Sequence, residues 1–216
     1  MTYSKTIVLL FIPAILVAGF VFFIRIIQYQ PLYPKVDDYQ EQNSGNSNFT
    51  IPIYDEDPII GNKKAGKTIL AFEDFACEGC KIQFTLLEQL LLKYPSKIKI
   101  IWKGLPVSRF PHPSETAHKY AFCANEQGKF AEFQKFAFTN NDNLSTEILE
   151  LIINQIDIKQ SKFEKCLESQ EVLDHIEKTE QLGMLLNIQA VPTFFIDNKQ
   201  VKTPTDIEGW ETLLKS

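Results

Sequence analysis

The sequence predicts an α/β fold whose strands are interrupted by a long helical stretch and preceded by a single N-terminal transmembrane helix. Three observations carry this. A strand-type run, Ile69-Leu-Ala-Phe72, leads into Cys77-Glu-Gly-Cys80 and then a helix-period segment with Ile82, Leu86, Leu87, Leu90 and Leu91. Lys97-Ile-Lys-Ile-Ile-Trp-Lys103 alternates apolar and polar positions, with Ile101 on the opposite face, as a central strand does. Helix-period segments then fill most of 113–186 before strand character returns at Thr193–Ile196.

In chain order, Ile7 to Ile27 is apolar except for Arg25 near its far end. At 1.5 Å per residue it is long enough for a hydrocarbon core of about 30 Å. A cleaved signal peptide is the competing reading, but the run is long for one, and Phe20, Phe22 and Phe23 follow its only small pair, Ala18-Gly19. The expected organisation is therefore an anchor over 1–28, a linker over 29–54 and a folded domain over 55–216. The linker holds Gln40-Glu-Gln-Asn-Ser-Gly-Asn-Ser-Asn48, too polar to offset its ordering entropy. With 216 residues, 44% hydrophobic content and net charge −5, one sizeable domain is affordable, and the acidic balance excludes a general nucleic-acid binder.

Asn62-Lys-Lys-Ala-Gly-Lys67 reads as a solvated turn before the strand Thr68–Phe72. The helix after the CxxC ends near Tyr94-Pro95, and the strand 97–103 completes a βαβ unit with parallel strands. Helices follow from Pro113-Ser114 to Asn125 with Ser114 as cap, over Lys129–Phe138, from Ser145 to before Asp157, over Ser161–Glu168 and over Val172–Leu186. Thr193–Ile196, a turn at Asp197-Asn198 and Gln200–Lys202 form a hairpin. Thr205 caps a last helix to Leu214, with Glu208 at the capping-box position.

The chemistry centres on Cys77 and Cys80. Strand, CxxC and helix in succession place Cys77 at a helix N-terminus, where unpaired N–H groups and the helix dipole favour a thiolate. Cys80, three residues on, shares that helical face and can close a small disulfide ring. A bare CxxC is equally half of a zinc site. Pro192, opening the run Thr193–Ile196, is by itself an ordinary way to begin an edge strand.

Taken together, Asp57-Pro-Ile-Ile-Gly-Asn62, Phe72-Glu-Asp-Phe-Ala-Cys77-Glu-Gly-Cys80, Phe110-Pro-His-Pro113, Cys123-Ala-Asn-Glu-Gln-Gly-Lys-Phe130 and Val191-Pro-Thr-Phe-Phe-Ile196 resemble DsbA-like thioredoxin-fold proteins, best the membrane-anchored extracytoplasmic branch. The resemblance spans roughly 55–215. It implies a thioredoxin-like fold with a helical subdomain inserted over about 112–186. It also implies Cys77 as nucleophile, Cys80 as resolving thiol, and Val191-Pro192 as a cis-Pro loop whose backbone pairs with substrate. Phe75 and Phe195 read as core or groove-wall residues.

Two departures from the family pattern bear on redox poise, among modulating positions that include Asp74, Glu78 and Gly79. Glu78 stands where proline is common, and its carboxylate opposes the thiolate that the helix N-terminus favours. Ala71 stands where a buried proton-shuttling acid is common, leaving Asp74 or Glu73 as substitutes. The expectation is a dithiol less oxidising than a strong oxidase. Cys123 and Cys166 admit three readings: zinc ligands joining the CxxC, two buried thiols, or a structural disulfide. Family members of this branch often carry cysteines at both places, which favours the disulfide. Such a bond would contribute on the order of 4 kcal/mol in the chain-entropy model. His112, His118 and His175 read as surface or capping residues.

The expected activity is a membrane-tethered thiol:disulfide oxidoreductase acting on cysteines of secreted or surface proteins, with no metal and no cofactor beyond its own disulfide. Charge around residues 7–27 does not orient the span, since Lys5 precedes it and Arg25 and Lys35 lie at or beyond its end. The cysteines suit an oxidising compartment, which puts the domain outside the cell membrane. The resemblance implies a DsbB-like or vitamin K epoxide reductase-like membrane partner. A disulfide isomerase or reductase, and a tethered peptide-binding chaperone, are the alternatives. The short polar linker favours a monomer.

Overall fold

In the computed structural model, residues 50–215 are described. The anchor and nearly all of the linker lie outside these residues. Among the described residues no helix is long and apolar enough to cross a membrane.

The described chain runs β1 (Ile59–Gly61), β2 (Lys67–Glu73), α1 (Glu78–Lys93), β3 (Ile98–Gly104), α2 (Glu115–Asn125), α3 (Phe130–Thr139), α4 (Thr146–Gln155), α5 (Gln160–Leu167), α6 (Gln170–Leu185), β4 (Thr193–Ile196), β5 (Lys199–Val201) and α7 (Ile207–Lys215). The sheet order is β1-β3-β2-β4-β5. β2 and β3 are parallel, from Lys67 opposite Ile98 to Glu73 opposite Gly104. β1 runs antiparallel to β3, β4 to β2 and β5 to β4. A thioredoxin-like sheet with a helical insertion between β3 and β4 is thus borne out.

Alternation along the central strands builds two cores. Ile69, Ala71, Ile98, Ile100 and Phe194 pack against Leu87 and Leu90 of α1 and Trp210 of α7. Leu70, Phe72, Ile101 and Phe195 face the other way, against Leu182 of α6 and Ile51. A third cluster fills the insertion with Phe130, Phe133, Phe138, Ile152 and Phe163, and it reaches Phe75 and Cys80 below the CxxC turn. Each such side chain, fully buried, is worth roughly 1.5–3 kcal/mol. The described residues form one compact unit.

Several expectations are corrected. β1 was not expected, because three residues of partly exposed edge strand carry no periodicity. Residues 50–54, assigned to the linker, pack on the domain. Ile51 is buried and its N–H donates to Asn198 Oδ1 at 3.0 Å. On α1, Ile82 is 52% exposed and Gln83 is buried in its stead. Gln83 Nε2 donates to the Pro204 carbonyl at 2.8 Å, and Trp210 Nε1 donates to Gln83 Oε1 at 3.0 Å, so its amide is satisfied in the core. The Ser114 side chain makes no cap bond to α2. Asp206, not Thr205, caps α7, its Oδ1 accepting from Gly209 N at 2.8 Å. β5 begins at Lys199 because Asp197 and Asn198, both with positive φ, close a two-residue turn.

Candidate active site

The parallel strand β2 delivers the chain at its C-terminal end into the turn Asp74–Ala76, and α1 starts at once. Cys77 is therefore its N-cap, with extended backbone and its sulfur accepting from Cys80 N at 3.1 Å. Cys77 and Cys80 are disulfide-bonded, with Cα atoms 5.2 Å apart. Cys77 is half-buried and Cys80 fully buried. Only the first sulfur is open to attack, and a thiolate there gains an N–H donor and the helix dipole.

The loop before β4 closes over this turn. The Val191–Pro192 peptide is cis, and the Val191 carbonyl oxygen lies 3.6 Å from Cys77 Sγ. A Cβ on Gly79 would come within 3.2 Å of Pro192 Cδ, so glycine there lets the proline loop approach the first turn of α1. Phe75 and Phe195 are buried core residues.

Asp74 and Glu73, the two possible substitutes for a buried acid, behave oppositely. The Asp74 carboxylate accepts from Ala76 N (3.1 Å), Val107 N (2.9 Å), Ser108 N (2.7 Å), Ser114 Oγ (2.9 Å) and His118 Nε2 (3.3 Å). Burial pushes its pKa up, but His118 and the N–H groups of Ser108 and Ala76 outweigh burial and hold it well below the usual carboxylate range. Asp74 is a fixed anion. Its own N–H lies 3.5 Å from Cys80 Sγ, donating to it. Glu73, on the same face of β2 as Ala71, is pushed up to about 8 by burial, against a lowering by Trp102. Its Oε1 has no partner, and it borders a cavity of about 20 Å³ beside Phe84 and Leu87, beyond Cys80 on α1. Glu73 is the protonated acid of the two at neutral pH.

Glu78 is exposed and turned towards the insertion. Its Oε2 accepts from Asn141 Nδ2 at 3.0 Å, while Asn141 Oδ1 accepts from Lys81 Nζ at 2.9 Å. Cys123 of α2 and Cys166 of α5 are bonded to each other, Cα atoms 5.7 Å apart, rather than gathered to the CxxC. Among the described residues no group of three or more His, Cys, Asp or Glu could hold a metal ion.

The histidine expectation fails at two of three positions. His112 is half-buried, but His118 and His175 are buried, at 3% and 9% exposure. Burial pushes His175 down to about 4, so it is neutral. Sequence reasoning also missed Ser114 and Asn141 as partners of site carboxylates. The only signal was that both lie in segments bordering helices, where side-chain hydrogen bonds are common.

A family model described as thioredoxin matches residues 54–216. The chain belongs to the thioredoxin family. Among solved structures it resembles the thiol-disulfide exchange protein α-DsbA2 of Wolbachia pipientis, at 22% identity over 84% of this chain and 92% of that one, with a TM-score of 0.67. The catalytic domain of Proteus mirabilis ScsC matches at 21% identity over 76% of this chain and 90% of that one, TM-score 0.65. A periplasmic thioredoxin-like protein of Salmonella enterica serovar Typhimurium matches at 19% over 74% and 88%, TM-score 0.63. These likenesses show the DsbA-like fold. Curated relatives include the Na(+)/H(+) antiporter NhaA 3 of Salinispora tropica, 25% identical over 162 residues, which are 75% of this chain and 25% of the antiporter. The NhaA antiporter of Herminiimonas arsenicoxydans is 25% identical over 160 residues, again 25% of its length. The thioredoxin-family chain thus spans about a quarter of these relatives.

Proposed function

We propose that this protein is a membrane-tethered, extracytoplasmic thiol:disulfide oxidoreductase that exchanges its Cys77–Cys80 disulfide with cysteines of secreted or surface proteins. The observation that carries the reading is the asymmetry of the pair. Cys77 is accessible at the N-cap of α1 with a donor on its sulfur, and Cys80 is buried behind it.

A substrate thiolate attacks Cys77 Sγ, the Cys77–Cys80 bond breaks, and Cys80 takes the electron pair and a proton. A second substrate thiol then attacks its own half of the mixed disulfide and releases Cys77 as a thiolate. The substrate loses two electrons and two protons. The dithiol keeps both electrons and one proton, and the other proton goes to solvent. The Val191 carbonyl, 3.6 Å from Cys77 Sγ, would pair with the backbone of the bound substrate segment. Two proteins of similar structure, one a periplasmic thioredoxin-like protein and one a thiol-disulfide exchange protein, support the compartment and the activity. No cofactor beyond the disulfide is invoked. Tethering rests on residues 7–27, and reoxidation on a DsbB-like or vitamin K epoxide reductase-like membrane partner.

The isomerase or reductase reading has its own support in two carboxylates, Asp74 and Glu78, placed around the turn that must carry the thiolate. The reduction potential of residues 50–216, equilibrated with glutathione, separates the two. A value near about −120 mV establishes an oxidase, and about −200 mV or lower an isomerase or reductase. Failure of Cys77 and Cys80 to form a reversible disulfide would overturn the enzyme reading.

A further inference from the structure

The dithiol chemistry leaves unexplained a histidine inside the apolar core of the insertion. His118, on α2, is 3% exposed, stacks on Trp102 with ring centroids 5.3 Å apart, and tilts against Phe75 at 5.1 Å. Gly104 makes room for it, since a Cβ there would overlap His118 Nδ1 and the Trp102 ring. A phenylalanine would suit such a slot, and an imidazole costs desolvation there. The compensation lies at one ring nitrogen. Asp74 is ionised and offers only acceptors, so His118 Nε2 must be the donor at 3.3 Å. Nδ1 has no hydrogen-bond partner.

We propose that His118 is a positioning residue of the redox couple: by donating to Asp74 it holds, and partly offsets, the buried negative charge beneath the CxxC turn, and so sets how readily Cys77 carries a thiolate. This rests on the dithiol reading above. Asp74 touches the turn at three points. Its carboxylate holds Ala76 N at 3.1 Å, its carbonyl accepts from Cys77 N at 3.1 Å, and its N–H meets Cys80 Sγ at 3.5 Å. On reduction a second negative charge appears at Cys77, half-buried and three residues on in the same turn, where like charges repel. The other four donors to Asp74 are three backbone N–H groups and the Ser114 hydroxyl. His118 is the donor of the five that stands on a helix of the inserted subdomain. The insertion thereby reaches into the poise of the pair.

The test is the equilibrium of residues 50–216 with glutathione, together with the ultraviolet thiolate absorbance of the reduced protein, for three variants. His118→Phe fills the slot without a donor. It should favour the disulfide about tenfold, a shift of about 30 mV towards reducing, and lower the thiolate fraction. His118→Gln keeps a donor and should stay within about threefold of wild type. Asp74→Asn removes the charge and should shift the equilibrium about tenfold the opposite way. Loss of packing alone would not produce opposite signs or a rescue by glutamine. If Asp74→Asn does not fold, the contrast between phenylalanine and glutamine decides. Equal equilibria for those two variants would overturn the proposal. A wild-type protein that forms no reversible disulfide would instead sink the dithiol reading itself.

Discussion

The two disulfides of this chain differ in everything but the bond. Cys77–Cys80 spans three residues, half-exposed at a helix N-terminus, with an N–H on its outer sulfur and carboxylates around it. Cys123–Cys166 spans 43 residues and joins two helices of the insertion, with Cys123 fully buried in a cluster that includes Tyr120 and Phe163. A sulfur at the first pair gains stabilisation as a thiolate, and one at the second would lose it to burial. Surroundings, not sequence spacing alone, assign one bond to chemistry and the other to stability.

Breaking each bond should therefore give opposite phenotypes. Cys77→Ser should abolish disulfide exchange with a model dithiol substrate while the domain still folds. Replacing Cys123 and Cys166 together by alanine should leave exchange within a few-fold of wild type. It should also cost about 2–4 kcal/mol in denaturant unfolding. Exchange lost together with the second bond would mean that the insertion holds the site in place through that staple.

A third expectation concerns the buried acid at the end of β2. Glu73 is held up to about 8 in the folded protein, against 4.5 for an ordinary glutamate. The native state therefore keeps a proton that the unfolded chain gives up. The associated stability is fully present below pH 4.5 and is lost as pH rises through 8, on the order of a few kcal/mol. Glu73→Gln should remove that decline. Unfolding curves of the two proteins at pH 5 and pH 8 that stay parallel would show that Glu73 is not buried as a neutral acid.

What could be read in advance followed the range of the interaction. The thiolate site at Cys77 depends on its immediate neighbours, and β2, β3 and β4 carry enough apolar residues to declare themselves. The buried Gln83 was hidden because its partner, Trp210, lies 127 residues away. His118 reads as a surface or capping residue in sequence because nothing near it points to Asp74, 44 residues earlier. Ser114 stands where a helix cap should, yet its hydroxyl turns to that same carboxylate, 40 residues back. The groups that reach Asp74 from Val107, Ser108, Ser114 and His118 are thus tertiary, and local patterning carries no trace of them.

Glu78 tests how far local reasoning reaches. Beside Cys77 in sequence, its carboxylate should disfavour the thiolate and make the pair more reducing. The fold tempers this, because the side chain is exposed and its oxygen is taken by Asn141, whose amide oxygen also holds the Lys81 ammonium. A solvent-screened charge with a cation nearby acts weakly, whereas Asp74 acts from a buried position. Glu78→Ala should therefore shift the glutathione equilibrium towards the reduced dithiol by only about two- to threefold, roughly 10–15 mV. Asn141→Ala, which releases the carboxylate, should shift it as little in the reverse direction. A Glu78→Ala effect larger than that of Asp74→Asn would make the exposed carboxylate the main determinant of poise and reverse this ranking.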